Sequence, residues 1–389
     1  MLIGIVSLAV AAAIWLPCLR AVFDQPASRY HSAEGVPPKA RAMAAWHLRL
    51  WTEPELRGRE VEQMRGSNAE WDFMGRTFLV LALGNMALRD AATKPRALDV
   101  MDRIIDETLR LEREEGLYHF LMPYARSGRW AMQPPRSQFL DGEIALMLAV
   151  RRLVEEKPAY RGPLAERVAV MVERMRASPT LCCESYPDEC WLFCNTIGLA
   201  AIRLADVLDG TDHSAFFRDW LAAAKRKLVH EETGLLLSAF TVRGQPLHGP
   251  EGTSIWAAAH FLQLIDPELA ADQYRRAREQ LGRRVLGFGY SREWPPSWQG
   301  WWDIDSGPVV PVLGASASAS GLACIGASAF DDAAYLDDLM ASLRLGAFPV
   351  RRDGGLKLAA SNQVGDAVVL YAMVLGPVWD EAERRARDE

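Results

Sequence analysis

The sequence predicts an all-α fold, an (α/α)6 toroid of six helical hairpins with small β-hairpin decorations. Three observations support this prediction. Amphipathic segments with a helical period recur along the chain, the loops between them alternate between short and long, and some segments are apolar on every side, which is typical of the inner helices of a ring. The alternative is an irregular bundle or a solenoid, but no solenoid-like sequence repeat is visible.

Eleven segments have the spacing of apolar residues that a helix requires, and residues 41–49 are a candidate for a twelfth. Their ends carry suitable residues, such as Thr233–Gly234 after one segment and Asp266–Pro267 between two others. Brief strand-like stretches at 235–242 and 288–290 predict small hairpins. The predicted helices are 71–90, 95–114, 139–156, 164–177, 191–208, 215–230, 253–265, 267–281, 310–326, 332–344 and 363–379.

Composition places the chain among folded globular proteins. Of its 389 residues 50% are hydrophobic and 24% are charged, which is enough apolar material for one large domain. The net charge of -6 comes without a basic stripe, so a nucleic-acid partner is not expected. The 13 Trp residues indicate large apolar or stacking surfaces.

The N-terminus differs from the rest of the chain. Residues 2–16 form an uncharged apolar run, so residues 1–20 are expected to be a membrane anchor or a signal-like segment. Residues 21–40 are expected to be a linker, and residues 41–389 the helical domain. The run lacks a small-residue cleavage site, which favours an uncleaved anchor. Basic residues follow the run and none precedes it, which favours a cytoplasmic body.

Four cysteines lie within thirteen residues, in a polar loop that leads into an apolar helix: Cys182, Cys183, Cys190 and Cys194. Their spacing matches none of the usual zinc patterns, so no metal is expected. Cys190 and Cys194 are one helical turn apart and poorly aimed at each other. Either of them could pair with Cys182, Cys183 or Cys324 in an oxidising compartment, and Cys194 could equally be a small buried core residue.

The segment Pro187-Asp-Glu-Cys-Trp-Leu-Phe-Cys-Asn195, followed by Asp206, Gly210-Thr-Asp212 and Trp220, resembles the Cys-Glu-Pro-Asp segment of the linalool dehydratase/isomerase family. Weaker similarity continues through Thr253-Ser-Ile-Trp256 and Asp303-Ile-Asp-Ser-Gly307, so the resemblance covers roughly residue 71 to the C-terminus. It implies a cofactor-independent enzyme in which two cysteines, an aspartate, a histidine and tyrosines exchange protons with an allylic alcohol inside the toroid.

The resemblance assigns Cys194 as the second family cysteine. The first is displaced, because Ser185–Tyr186 is inserted before Pro187–Asp188, and either Cys183 or Ser185 could take its place. Glu143 stands where the family has its histidine, which puts linalool itself in doubt as the substrate. The expected catalytic residues are Cys194, Glu143, Asp72, Cys183 and Asp188, and the expected substrate-binding residues are Trp71, Tyr186, Asn195, Trp302, Asp303 and Asp305.

Two of these expectations have structural alternatives. Asp72 stands four residues before Arg76, so it could belong to a surface ion pair instead of the site. Asp303 and Asp305 lie in a loop with Trp294, Trp298, Trp301 and Trp302, which suggests a ligand-facing wall, although a solvated turn over packed Trp rings is the alternative.

The first functional hypothesis is a lyase or isomerase that acts on an alcohol without a cofactor. The second is a carbohydrate-active toroid with paired carboxyl groups, and the third is a binding scaffold without catalysis. The expected partners are a small molecule, either a terpenoid-like alcohol or a carbohydrate, and a membrane. The sequence leaves open whether the chain forms a homo-oligomer. The resemblance implies an extracytoplasmic or periplasmic location. The basic residues that follow the apolar run favour a cytoplasmic one.

Overall fold

The computed structural model describes residues 2–32, 34–298, 300 and 306–388. Within these residues the chain forms fifteen α-helices and nine short strands. The helices are α1 (Leu2–Phe23), α2 (Pro38–Leu50), α3 (Pro54–Ser67), α4 (Ala69–Arg89), α5 (Lys94–Glu115), α6 (Gln138–Val154), α7 (Arg161–Ala177), α8 (Leu192–Asp209), α9 (Ser214–Lys227), α10 (Gly252–Leu262), α11 (Pro267–Gln280), α12 (Ala317–Ala329), α13 (Ala333–Gly346), α14 (Gln363–Val374) and α15 (Pro377–Asp388).

Six helices, α4, α6, α8, α10, α12 and α14, form a closed inner ring. Each packs against the next, and α14 packs back against α4. Outer helices alternate with them along the chain, so the fold is the (α/α)6 toroid that the sequence predicts. In α6 every residue from Gln138 to Val154 is buried, which explains why this inner helix has no polar face.

The inner helices are parallel to one another, because one outer helix runs back between each consecutive pair. Their N-terminal ends therefore meet at one face of the toroid, which we call the mouth. The unpaired N–H groups and the positive dipole ends of these helices favour acidic and polar side chains there. Short connections join the helices at the opposite face, and long segments join them at the mouth: 116–137, 178–191, 228–251, 281–316 and 347–362.

The described strands all lie in these long segments. One antiparallel sheet contains β1 (Cys190–Trp191), β2 (Ala239–Phe240) and β3 (Pro246–His248) in that order, which confirms the hairpin predicted near 235–242. A second sheet contains β4 (Gly282–Val285), β5 (Phe288–Arg292), β6 (Val309–Val310) and β7 (Ala315–Ser316) in the order β4-β5-β7-β6, and β8 (Pro349–Arg352) pairs with β9 (Gly355–Leu358).

Two predicted helices have different bounds in the structure. The helix expected over 310–326 begins only at Ala317, because β6 and β7 pair with each other before it. The helix expected over 363–379 is interrupted at Gly376, whose φ of 123° is incompatible with a helix. After this turn α15 packs against α4, α6 and α8 and closes the end of the ring opposite the mouth.

The sequence did not predict α3, which lies beside the mouth between α2 and α4. Its buried residues are limited to Met64, so it lacks an apolar stripe. Polar contacts hold it instead, because Glu60 accepts from Lys357 at 2.7 Å and Arg65 lies 3.2 Å from Asp72.

The first helix, α1, precedes the toroid and is exposed. Its 22 residues have a mean hydropathy of 2.4 in their most apolar window, which is 0% buried, so it is long and apolar enough to cross a membrane. It ends at Phe23, beyond residue 20 where the anchor was expected to end. Arg20 fixes this end to the body by an ion pair with Asp337 and a 2.9 Å hydrogen bond to the Gly287 carbonyl.

Candidate active site

The starts of three inner helices and the segment 178–191 bring the candidate residues together. Glu143 lies in the second turn of α6, Cys194 in the first turn of α8, and Ser185 in the segment between α7 and α8. Gly142 sets the approach of the two helices, because a Cβ atom there would lie only 3.1 Å from the Cys194 carbonyl oxygen and from the Gly198 nitrogen. The missing side chain therefore places Glu143 beside Cys194.

Glu143 is a buried carboxyl group with one oxygen unused. Its side chain has no exposed surface. Oε2 accepts a 2.5 Å hydrogen bond from Thr77 Oγ1 of α4, and Oε1 has no partner among the described residues. Burial raises the pKa of Glu143 to about 8; the Thr77 hydrogen bond opposes this rise and the charge of Glu70 adds to it. At neutral pH Glu143 is therefore a neutral acid.

The Cys194 thiol is the second buried group of this cluster. Burial raises its pKa well above the ordinary value, the adjacent Ser185 hydroxyl opposes this rise, and the charges of Glu143 and Glu70 add to it. A thiol with a raised pKa stays protonated and is a poor nucleophile. Cys194 can therefore act as a weak hydrogen-bond donor, and its polarisable sulfur atom can line the site.

The Cys183 thiol lies in different surroundings. Burial raises its pKa, and its charged neighbours are Arg174, Asp141 and Glu184. Among the two residues that could replace the first family cysteine, it is Ser185 that lies beside Cys194.

Asn195 joins the segment 178–191 to α8. Its Oδ1 accepts from the Cys183 backbone nitrogen at 2.8 Å. Its Nδ2 donates to the carbonyl oxygens of Cys183 and Trp191 at 3.0 and 2.9 Å. The side-chain amide of Asn195 is therefore bound to backbone groups, and Asn195 shapes the site by holding the segment 178–191 against α8.

Tyr186 and Glu70 form a hydrogen-bonded pair next to the cluster. The Tyr186 hydroxyl donates to the Glu70 carboxylate and accepts from the Met122 backbone nitrogen at 2.9 Å. The Tyr186 ring stacks on Tyr124 with 4.8 Å between the ring centroids. Burial and the charge of Glu70 raise the pKa of Tyr186, so its phenol stays protonated. Sequence reasoning missed Glu70 although it stands next to Trp71 and Asp72.

Asp72 belongs to a buried ion-pair network. Its Oδ1 lies 2.9 Å from Arg76 Nε, and its Oδ2 lies 3.2 Å from Arg65 NH1. Arg76 also contacts Glu107 at 3.1 Å and Thr108 at 3.2 Å, both on α5. The surface alternative is therefore wrong, because Asp72 and Arg76 are 3% and 2% exposed. This network faces α5, whereas Glu143 lies on α6.

Other predicted residues lie apart from the cluster. Asp188 is exposed at a tight turn with a φ of 54°, and its Oδ1 accepts from the Val242 nitrogen at 3.2 Å. Trp71 is half-buried in the first turn of α4. Trp302, Asp303 and Asp305 lie outside the described residues.

Glu184 is a buried carboxylate that sequence reasoning did not single out as functional. It accepts hydrogen bonds from the backbone nitrogens of Ala131 and Met132, both at 2.7 Å, and from that of Asp188 at 2.6 Å. These bonds join two mouth segments, so Glu184 holds the wall of the site in place.

Two cavities lie around α3 and not at the cluster. One of about 30 Å³ is lined by His47, Met64 and Asp72 among others. An open groove of about 590 Å³ is lined by residues of α2 and α3. The Glu143 side chain has no exposed surface and lines neither of these cavities.

The thiols and acids are not arranged as a metal centre. All six cysteines are unpaired. Within the described part of the chain, His, Cys, Asp and Glu side chains form no group of three or more that could hold a metal ion.

Two solved structures are similar to this chain. A GH76 α-mannanase of Bacteroides thetaiotaomicron has a TM-score of 0.49 and 10% sequence identity, over 81% of this chain and 87% of that chain. The unsaturated glucuronyl hydrolase of Bacillus sp. GL1, responsible for glycosaminoglycan degradation, has a TM-score of 0.50 and 16% identity, over 79% of this chain and 86% of that chain. At 16% identity the second likeness extends to the fold alone.

The sequence comparison is more specific. Residues 155–364, more than half of the chain, match the family described as linalool dehydratase/isomerase. This region contains Cys194, Ser185 and the mouth segment 178–191, whereas Glu143 and the mouth segment 116–137 precede it. The chain therefore belongs to the linalool dehydratase/isomerase family, which is a family of enzymes.

Proposed function

We propose that the chain is a cofactor-independent lyase or isomerase that removes water from an alcohol or moves its hydroxyl group, with Glu143 as the acid. The observation that carries this proposal is the buried Glu143 carboxyl group, which has one oxygen held by Thr77 and one without a described partner. A neutral carboxylic acid in an apolar ring is suited to protonating a hydroxyl group.

The reaction balances without any further reactant. Glu143 transfers its proton to the substrate hydroxyl oxygen, the carbon–oxygen bond breaks with its electron pair on oxygen, and water leaves. The resulting carbocation loses a proton from the neighbouring carbon to the Glu143 carboxylate, which yields an alkene and restores the acid. If water instead adds at another carbon of an allylic cation and returns a proton, the product is an isomeric alcohol.

The residues around Glu143 have supporting roles in this proposal. The Glu70 carboxylate, whose charge reaches both Glu143 and Cys194, would stabilise the positive charge of the cation. The Cys194 thiol and the Ser185 hydroxyl would orient the alcohol or the leaving water. Asp72 is less suited to be the base, because two guanidinium groups bind its carboxylate.

The test uses the full chain in detergent with a panel of allylic alcohols that includes linalool and geraniol, and gas chromatography to detect alkene and isomer. We expect turnover of at least one alcohol, and loss of it in Glu143→Gln. The exposed Asp188→Asn variant is the control and should keep its activity. Full turnover in Glu143→Gln would rule out Glu143 as the acid.

A carbohydrate-active enzyme is the alternative, and what favours it is a second buried carboxyl pair at the same mouth, Glu251 and Glu293. Such an enzyme needs two carboxyl groups on either side of a glycosidic bond and no thiol. Cleavage of a glycoside by the Cys194→Ala variant at the rate of the unmodified chain would favour this alternative.

We also propose that α1 anchors the protein in a membrane. Its exposed apolar surface supports this, and so do the bonds of Arg20, which would hold the body close to the bilayer. The protein should stay with membranes after washing with high salt and alkaline carbonate; recovery in the soluble fraction would contradict the anchor. Accessibility of a reporter cysteine on the body in sealed vesicles decides its sidedness.

A further inference from the structure

A second pair of buried carboxyl groups, Glu251 and Glu293, lies at the start of α10. Glu251 directly precedes this helix, and Glu293 directly follows β5. The Gly252 nitrogen donates to the Glu293 carbonyl at 2.7 Å, which ties the two segments together. Glu251 is 6% exposed and Glu293 0%, so neither carboxyl group is solvated.

Glu293 uses only one of its carboxyl oxygens. Oε1 accepts from the Thr253 hydroxyl at 2.5 Å and from the Thr253 nitrogen at 3.3 Å. Oε2 has no hydrogen-bonding partner among the described residues. A carboxyl group that served only to cap α10 would not need this second, fully buried oxygen.

Among the described residues, three groups that face Glu293 do not neutralise a negative charge. From α10 and its preceding loop they are Thr253 and Glu251, and from β7 Ser316. The neighbouring Arg292 is directed to the turn at Gly314. Burial and the charge of Glu251 raise the pKa of Glu293 to about 7, while the nearby Ser316 hydroxyl and the Thr253 hydrogen bonds oppose the rise.

The pair has a connection to solvent through His248. Glu251 Oε1 lies 2.9 Å from His248 Nδ1, and the His248 side chain is 52% exposed. An imidazole exchanges protons with water near neutral pH. His248 therefore links Glu251 with solvent, and the charge of Glu251 in turn reaches Glu293.

A wall of aromatic residues connects this pair with the Glu143 cluster. The His248 ring lies 5.4 Å from the Trp191 ring. Glu189 Oε2 accepts from Trp191 Nε1 at 3.2 Å and from the Tyr124 hydroxyl at 3.1 Å. Tyr124 in turn stacks on Tyr186. The two carboxyl sites thus stand at the two ends of one continuous wall of the mouth.

We propose that Glu293 is a second proton donor of the mouth, which takes a neutral hydroxyl or carbonyl oxygen as its ligand, and that Glu251 and His248 return its proton from solvent. The Oε2–H bond breaks and the proton passes to the bound oxygen. The carboxylate then regains a proton from His248 through Glu251, and His248 regains one from water. Anionic ligands are excluded from this site, because the Glu251 carboxylate repels them. The catalytic part of this inference rests on the proposed function, but the proton exchange does not.

The proton exchange is tested by infrared titration of the full chain in detergent, which detects the carbonyl band of protonated carboxyl groups. We expect a band that disappears near pH 7 in the unmodified chain, is missing in Glu293→Gln, and disappears about one pH unit lower in Glu251→Gln, because a like charge has gone. The exposed Glu279→Gln on α11 is the matched control and should leave the band unchanged. An unchanged titration in Glu293→Gln overturns the proposal.

The catalytic part is tested with an alcohol that the chain turns over. Glu251→Gln should shift the alkaline limb of the kcat profile about one unit lower and also lower the maximal rate, because Gln cannot pass a proton to Glu293. The loss of a purely structural contact would not shift the limb. If Glu251→Gln leaves the alkaline limb unshifted and Glu293→Gln keeps full activity, Glu293 takes no part in the reaction. If no alcohol is turned over, the proposed function fails, and the infrared result still decides whether Glu293 exchanges a proton.

Discussion

Glu143 and Asp72 are both buried acids at the mouth, and they differ in what surrounds them. Glu143 receives one hydrogen bond, from the Thr77 hydroxyl. Asp72 receives hydrogen bonds from the guanidinium groups of Arg65 and Arg76. Two guanidinium groups contact the Asp72 carboxyl group, whereas burial favours the neutral form of Glu143.

The comparison shows that burial alone does not make a carboxyl group an acid catalyst. A carboxyl group that is buried without a positive partner keeps its proton and can give it to a substrate. A carboxylate that is buried with arginines stabilises the fold around it as long as the arginines remain. We therefore propose that Glu143 takes part in the chemistry and that Asp72 belongs to the scaffold.

The largest expected effect is on turnover. Glu143→Gln keeps the size of the side chain and removes the transferable proton, so kcat should fall by roughly 10²- to 10⁴-fold. Asp72→Asn should keep kcat, measured on the fraction that stays folded, within about tenfold of the unmodified chain. An equal loss of kcat in the two variants would mean that the two acids do not differ in role.

The next effect is on stability. Arg76→Met removes a buried positive charge and leaves Asp72 and Glu107 without it, so the free energy of unfolding should fall by about 3–5 kcal/mol in a urea titration. Arg103→Met is the matched control, because Arg103 forms an i,i+4 pair with Asp99 in which both side chains are 54% exposed. Its loss should be below about 1 kcal/mol. Equal losses would show that burial does not strengthen the Asp72 network.

A third effect is the pH dependence of stability. The pKa of Glu143 is about 8 in the fold against 4.5 in the unfolded chain, so the folded state holds a proton that the unfolded state releases. Stability therefore falls as pH rises from 4.5 to about 8, by up to about 1.4 kcal/mol per pH unit from this group. In Glu143→Gln the free energy of unfolding should decline less steeply over this range. The same slope in both proteins would mean that Glu143 is ionised.

The smallest effect concerns the two cysteines. Cys194→Ala should lower kcat by about tenfold, because the thiol is a weak donor that assists Glu143 without replacing it. Cys183→Ala removes a thiol of similar burial that lies among other neighbours, and its kcat should stay unchanged. Circular dichroism melting shows whether both variants are folded. A loss of kcat in Cys183→Ala alone would mean that Cys183, and not Cys194, assists Glu143.

The fold could be predicted from the sequence because it rests on periodic burial, which a sequence displays directly. Long inner helices such as α6 are buried along their whole length and mostly apolar, and the alternation of short and long loops follows from the hairpins. The helix α3 could not be predicted, because ion pairs with distant residues hold it and only Met64 is buried. The hairpin β8–β9 was missed too, since its first strand is exposed throughout.

The site was predictable only in part. The family pattern points to Glu143 and Cys194, and Gly142 in the middle of a helix explains how they meet. Thr77 could not be found, because the residue that binds Glu143 lies 66 positions away along the chain without a motif around it. Asp72 looked equally suitable as an acid, since nothing in the local sequence indicates that Arg65 folds back onto it.

The measurement that tests the central claim most directly is an infrared titration of the unmodified chain and of Glu143→Gln around neutral pH. We predict that the protonated carboxyl band at pH 7 is weaker in Glu143→Gln, by the part of it that disappears near pH 8 in the unmodified chain, while the part from other buried carboxyl groups such as Glu293 remains. Identical spectra of the two proteins at pH 7 would show that Glu143 is already ionised, and would contradict its assignment as the acid.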